Sequence, residues 1–429
     1  MSETSVRQLW TDPRRRRWVA FAALVSVYGL VSVYRLSTAV LADDLSAAFD
    51  VTGAQLGTLH ASFFYIYALL QLPAGVLADR LGSRKTVAVG GVVMSVGGLG
   101  FAAADSYLTA FLGRALIGLG GGLLFVAILR FCANWFRPDE FGRMNGITIA
   151  VAGLGGILAT TPLALAVGAL GWRETIAAIS VAGLGLALAG FVLARDSPAA
   201  AGLEPIGGAE TQPASSLRTV LGNARRILGE LETWLVSGIL FVGTGINITV
   251  IGLWGVPYLV QTFGVSVTYA STFTLLGSVG LLVGPPTIGA LSDRIGDRIG
   301  LIVAGSFVYT LAFASLAVTS QPPVALVAVV FFVTGVVAGA YVLSYPVMKE
   351  RHDATAAGVA TGTANMMAFL GAAVMPTAMG VILDLYWTGE TIGGARVYTP
   401  FGYQLAFGLA TAAGLVSFVL AVWLYRRER

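Results

Sequence analysis

The sequence predicts an all-α membrane protein in which twelve membrane-crossing helices form two pseudo-symmetric halves of six. Composition is the first reason. The 429 residues are 56% hydrophobic and only 11% charged, with a mean hydropathy of +0.81. A soluble chain of this length needs far more charge to cover its surface. Recurring apolar runs are the second reason: stretches of about 20 residues, enough for a helix to cross about 30 Å of hydrocarbon, follow one another along the chain. Lipid satisfies no backbone hydrogen bond, so such runs are helices. The third is a phrase stated twice. Gly75-Val-Leu77-Ala-Asp79-Arg80-Leu-Gly82-Ser-Arg84 returns as Gly289-Ala-Leu291-Ser-Asp293-Arg294-Ile-Gly296-Asp-Arg298, and Asp79 and Asp293 stand 214 positions apart. A duplicated bundle puts one short charged turn at the same point of each half.

In order, the spans are 18–41, 56–78, 86–104, 108–131, 144–168, 174–194, 234–260, 268–291, 299–319, 323–347, 355–383 and 401–425, each read from its apolar run. Span 1 is too long for the apolar core of a signal peptide and is followed by further spans. Between spans 6 and 7 lies the longest polar stretch, Arg195 to Glu232, with Pro198, Pro205, Pro213 and mixed charge; this is linker composition. It divides the chain into an N-terminal half (1–195), a cytoplasmic linker (196–232) and a C-terminal half (233–429). Leu217 to Leu231 is the more helical part of the linker and suits the inner membrane surface.

Orientation follows from the basic residues. With the N-terminus cytoplasmic, the outer loops hold only Arg173 and Arg396. Arg35, Arg114 and Arg130 fall inside spans, and every other Lys and Arg lies in an inner segment. This asymmetry expects both termini in the cytoplasm of a multi-pass cell-membrane protein. The net charge of +4 is then topology and does not point to nucleic acid. A single cysteine, Cys132, excludes an intrachain disulfide and a cysteine-rich metal site. With no nucleophile–base pair, metal cluster or cofactor motif, the chain does not read as an enzyme, and no cofactor or metal is expected.

The 6 + 6 count, the central loop and the G-x-L-x-D-R-x-G-x-R turn after spans 2 and 8 resemble the major facilitator superfamily of secondary transporters. The resemblance covers essentially the whole chain. It implies two six-helix halves around a substrate cavity, working as a monomer, with the repeated turn latching the halves in the outward-open state. Gly75, Asp79, Arg80, Gly82 and Arg84, with Gly289, Asp293, Arg294, Gly296 and Arg298, are then gating residues. The plainer reading, that Arg84, Lys85 and Arg298 only fix topology, stays open.

Charges inside spans are costly, so each is a site candidate. Arg35 lies about 10 Å from the outer end of span 1 and Arg114 about 9 Å into span 4, at 1.5 Å per residue. Two guanidiniums at one level, with no acid inside the spans, suit a carboxylate or phosphate. Alternatively they cap backbone carbonyls or reach Asp43 and Asp44. Arg130 is near enough to the inner end of span 4 to reach the interface. His60 in span 2 is the remaining titratable group, either a coupling residue or a structural one. Tyr65, Tyr67 and Gln71 in span 2, Asn247 and Trp254 in span 7, Tyr341 and Tyr345 in span 10 and Asn365 in span 11 can hydrogen-bond or stack on a substrate, or pack helices.

Finer motifs, Tyr34-Arg35 and Arg114-x-x-x-Gly118 through Arg130-x-x-x-x-Trp135-Phe136, are similar to the organic anion–cation symporter branch. That branch carries acids where Tyr34 and Gly121 stand; they are missing here, so its anion-binding arginine carries over without its coupling acids. The helix-5 antiporter signature is also absent, replaced by Gly153-Leu-Gly155-Gly156 and Thr161-Pro162. The expected function is transport of a small solute, an organic anion, by rocker-switch alternating access. A proton or sodium gradient, exchange or the substrate's own gradient remain open as driving forces. Efflux of amphipathic compounds and a transporter-like sensor are the alternatives.

Overall fold

The computed structural model describes residues 12–71, 73–204, 206, 217–352 and 354–428. Span 1 is α1 (Pro13–Leu36), continued after Ser37 by α2 (Thr38–Phe49). Span 2 begins with α3 (Gly53–Leu70) and continues into α4 (Pro73–Ala102), which also forms span 3. Span 4 is α5 (Tyr107–Gly121) and α6 (Leu124–Trp135), span 5 is α7 (Pro138–Leu158) and α8 (Thr161–Leu170), and span 6 is α9 (Trp172–Leu193). The linker contains α10 (Leu217–Ile227), as its composition predicts.

Span 7 is α11 (Leu231–Thr249), a π-turn at Val250–Trp254, and α12 (Gly255–Phe263). Spans 8 and 9 are α13 (Val267–Ile295) and α14 (Arg298–Ala317), and span 10 is α15 (Val324–Val342) with α16 (Ser344–Glu350). Spans 11 and 12 are α17 (Ala354–Leu385) and α18 (Pro400–Glu428). Between these last two, β1 (Trp387–Ile392) and β2 (Ala395–Tyr398) pair antiparallel. This hairpin stands where the sequence predicts a plain loop; its Gly393-Gly394 turn, with both φ positive, is the signal for it.

Eleven helices among the described residues are long and apolar enough to cross a membrane. α3 supplies the remaining span. Its Gln55, His60, Tyr65 and Tyr67 lower its apolarity.

The duplication is visible in how helices touch. A Cβ on Gly155 of α7 would lie 2.1 Å from the Gly29 carbonyl oxygen of α1, and one on Gly371 of α17 would lie 2.0 Å from the Phe241 oxygen of α11. Gly245 of α11 meets the Gly371 backbone in the same crossing, and 29 to 245 and 155 to 371 are both steps of 216. Span 1 thus crosses span 5 backbone against backbone, as span 7 crosses span 11. Side chains of any size would hold these helices apart, and small residues are what bring membrane helices into contact.

Irregularities obey a similar offset. The interruption at Ser37 corresponds to the π-turn of span 7, the one at Thr160 to Pro376 inside α17, and the one at Gln71 to Pro285 inside α13. Both motif turns end on a glycine with positive φ, Gly82 at +80° and Gly296 at +74°, a region that side chains disfavour. Gly75 and Gly289 behave differently. A Cβ would meet only Val126 at 4.0 Å at the first and nothing within 4 Å at the second.

The halves meet along two seams. α3 runs antiparallel to α17, with Gly53 against Gly380, Gly57 against Pro376 and Thr58 bonded to Thr377 at 3.2 Å. The seam continues through Phe64 and Tyr67 against Phe369 to Gln71 beside Asn365. Span 5 meets span 8 in the same way, through a Thr161–Ser271 hydrogen bond of 3.1 Å and Gly153 on Leu282. Both seams hold contacts toward the far side, opposite the termini: Gly53 touches Gly380 at the start of α3, and Thr161 bonds Ser271 at the start of α8.

Replacing Gly371 by Val should force α11 and α17 apart and destabilise the protein by about 1–3 kcal/mol, as overpacking does. A lowered melting temperature in detergent would show it, and an unchanged one would mean that the crossing tolerates a side chain.

Candidate functional site

α1 delivers Arg35 to the inner end of the seam. Ser37 interrupts the helix just after it, its N–H bonded to the Val33 carbonyl at 3.0 Å. Twelve helical residues of α2 then follow, so Arg35 lies about 20 Å from the far end of the span at 1.5 Å per residue, deeper than the sequence predicts. Asp43 and Asp44 accordingly sit on a helix and not in a loop.

Arg35 is half-buried and its NH2 donates to Ser32 Oγ at 3.2 Å; its Nε has no partner. Among the described residues no carboxylate pairs with it. Tyr28, two turns earlier on the same face, and Tyr67 of α3 lie within electrostatic reach of the guanidinium, and their hydroxyls meet each other. Beside them Tyr345 Oη donates to Asn365 Oδ1 at 2.7 Å, and Asn365 Nδ2 donates to Gln71 Oε1 at 2.7 Å. Gln71 in turn donates to the Tyr67 carbonyl at 3.1 Å. One cation, three phenols and two amides thus converge from both halves. An unpaired guanidinium with donors and acceptors of both kinds around it can hold an anion at one end and hydroxyl groups at the other.

Arg114 and His60 form a different group. Arg114 is 1% exposed, donates its Nε to the Leu59 carbonyl at 3.1 Å and lies 5.5 Å from the Phe101 ring centroid. His60 is fully buried beside it, and neither ring nitrogen has a partner. Across the seam His60 faces Gly252 of the span 7 π-turn, whose Cβ would lie 3.2 Å from its Cε1. His60 and Tyr67 are seven residues apart on α3, about 10 Å along the axis. The expected single level of two guanidiniums is therefore split in two, because span 1 extends further past Arg35 than its apolar run suggests.

Other predicted residues are occupied elsewhere. Tyr34 points away from the seam, its hydroxyl 2.7 Å from Ser180 Oγ of α9. Trp254 donates its indole N–H to the Pro376 carbonyl at 3.0 Å, at the proline inside α17. Asn247 reaches the Thr334 carbonyl at 3.4 Å, and Tyr341 packs edge-on against Tyr309 over Gly243. These contacts all lie within one half.

In the repeated turns, Arg84 stacks 4.0 Å from the Phe191 ring centroid and donates to the Phe191 carbonyl, while its backbone N–H is bonded by Asp196. Arg298 pairs with Glu350 at 2.7 Å and lies 3.8 Å from Asp293. Arg80 and Arg294 are exposed, and the Asp79 side chain lies outside the described residues. Among the described residues, the contacts of Arg84 and Arg298 reach their own half and, through Asp196, the adjoining linker.

Sequence comparison decides the family. The Major Facilitator Superfamily profile matches residues 19–376 and again 236–429. The chain belongs to this superfamily. Among its curated relatives are a probable sulfoacetate transporter, SauU, of Cupriavidus necator, 28% identical over 67% of each chain; the membrane sensor protein UhpC of Salmonella typhimurium, 28% identical over 88% of each; and a hexuronate transporter of Bacillus subtilis, 27% identical over 92% of each. Of solved structures, an inward-facing bacterial homologue of the human lysosomal transporter Spinster superposes with a TM-score of 0.76 over 96% of this chain and 98% of its own, at 17% identity. At that identity the likeness concerns the fold.

Within this superfamily member, Tyr28 joins the candidate site without standing out in the sequence; its spacing of seven from Arg35 is the available signal. Asn365→Leu should remove two hydrogen bonds and leave Gln71 Oε1 and the Tyr345 hydroxyl unpaired. The expected loss is about 1–3 kcal/mol of stability in the ligand-free protein, read as a shift in thermal melting; no shift would place those groups in water already.

Proposed function

We propose that this major facilitator superfamily transporter carries a small, singly charged, hydroxylated organic anion, with Arg35 as the anion-binding group. The observation that carries the reading is the lone guanidinium of the seam, left without a carboxylate and flanked by Tyr28, Tyr67, Gln71, Tyr345 and Asn365. One accessible cation balances one negative charge; the second arginine, Arg114, is enclosed and already holds a backbone carbonyl. Phenol and amide groups offer complementary partners to substrate hydroxyls. That relatives include transporters named for sulfoacetate and hexuronate, both organic anions, supports the anionic part of the reading; the single charge and the hydroxyl groups rest on the Arg35 site alone.

The mechanism we propose is a rocking of the two halves about the site, with both termini cytoplasmic in the cell membrane and the present form open to the inside. In it, substrate entering from the terminal side reaches Arg35, and its negative charge compensates the guanidinium that otherwise sits unpaired. The polar seam Gln71–Asn365–Tyr345 then exchanges partners between protein and substrate hydroxyls. The chain works as a monomer, and the coupling ion, proton or sodium, is left free. A sensing role is the second reading, favoured by the relative that is named a membrane sensor.

A thermal-shift screen of purified protein against sugar acids, sulfonates, simple carboxylates, sugar phosphates and neutral sugars tests this. A ligand at 100 times its Kd adds about 2.7 kcal/mol of stability. Hydroxylated monoanions should shift the wild type and fail to shift Arg35→Ala. Arg35→Lys should retain charge but weaken binding roughly tenfold by losing the bidentate fork. Shifts by neutral or cationic compounds that survive in Arg35→Ala would overturn the reading in favour of efflux. Uptake into vesicles of a confirmed ligand would separate transport from sensing.

A further inference from the structure

The far-side seam contains a helix cap made by the opposite half. α3 opens with four backbone N–H groups that need partners. Thr52 and Gln55 satisfy two of them locally in a reciprocal cap: Gln55 Oε1 accepts from Thr52 N at 2.9 Å and Thr52 Oγ1 from Gln55 N at 3.2 Å. The other two, Gly53 N and Ala54 N, donate to Asp384 Oδ1 and Oδ2 at 2.7 and 2.8 Å. Asp384 belongs to α17, and therefore to the other half of the protein.

The carboxylate is held in place by its own half. Arg396 of β2 lies 3.6 Å from Asp384 Oδ1 and stacks 4.4 Å from the Trp387 ring centroid. Gln261 of α12 anchors that strand, donating to the Arg396 carbonyl at 3.0 Å and accepting from Tyr398 N at 3.0 Å. The hairpin, through Arg396, thus steadies an anion of α17 that faces the positive end of an 18-residue helix across the seam.

We propose that Asp384 is the latch of the far-side gate: it caps α3 in trans when the gate is closed and releases Gly53 and Ala54 whenever the halves part on that side. The local half of the cap stays intact in both conditions, so α3 persists as a helix when released. The latch adds attraction to a seam that is otherwise sterically permissive, since Gly57 and Gly380 let the backbones touch; a Cβ at these positions would lie 2.4 Å from the Pro376 oxygen and 2.2 Å from the Gly53 oxygen.

Labelling of a cysteine at Thr58, one turn inside the cap, tests the latch without needing any substrate. The native Cys132 is buried, and the parent without the Thr58→Cys change measures its background. A membrane-impermeant maleimide is applied from the face opposite the termini. In Asp384→Asn, the labelling rate at position 58 should rise roughly tenfold, the factor expected for loss of one charge-assisted hydrogen bond. Asp384→Glu, which keeps the charge on a longer stem, should give an intermediate rate and serves if the amide variant does not fold. Gly57→Ala, a steric wedge in the same seam, should raise labelling while the carboxylate is intact. Labelling that rises in Gly57→Ala but stays at the rate of Thr58→Cys alone in both Asp384 variants would overturn the proposal.

Discussion

Everything in this molecule rests on helices that touch through glycine. In hydrocarbon, apolar side chains gain nothing by leaving lipid for protein, so close packing has to hold the bundle together. The crossings of Gly29 with Gly155 and of Gly245 with Gly371 supply it. They fix where span 1 stands relative to span 5 and span 7 relative to span 11. By doing so they place Arg35 on one side of the seam and Asn365 on the other. The polar site is a consequence of apolar, nearly featureless contacts, which is why substitutions far from Arg35 can move it.

The sequence made the architecture legible because the membrane removes choices. Apolar runs can only be helices, the duplicated turn sets the repeat, and the positive-φ demands of Gly82 and Gly296 explain why glycine stands there twice. What it concealed is local. The run of span 1 ends for a reader at about residue 41, because Asp43 and Asp44 look like loop residues, yet the helix reaches Phe49. That difference moved Arg35 away from Arg114. The hairpin after span 11 was also hidden, since a short polar segment between spans reads as loop unless its Gly-Gly turn is given weight.

The candidate site was legible in part, and the pattern of success has a cause. Arg35, Tyr67, Gln71, Tyr345 and Asn365 are polar residues inside apolar helices, and a reader notices them individually. Which of them meet depends on helix rotation and on the breaks at Ser37, Gln71 and Leu343, none of which composition reveals. Tyr34 and Trp254 show the converse: equally conspicuous in sequence, they are engaged by Ser180 and the Pro376 carbonyl. A polar residue in a span announces that it has a partner, but not whether that partner is the protein.

The antiparallel run of α3 beside α17 also sets a lever. Its contacts begin at Gly53 and end at Gln71, the length of an 18-residue helix, about 27 Å at 1.5 Å per residue. Any motion that parts the halves on the far side while keeping them joined turns about the inner end of this run, where Gln71 meets Asn365. Groups at the fulcrum travel little while Gly53 and Asp384 travel far. A ligand seated beside the fulcrum therefore has almost no leverage by pushing. Such a ligand would act by changing which hydrogen bonds exist there, so its chemical identity, more than its bulk, would govern a swing of the far end.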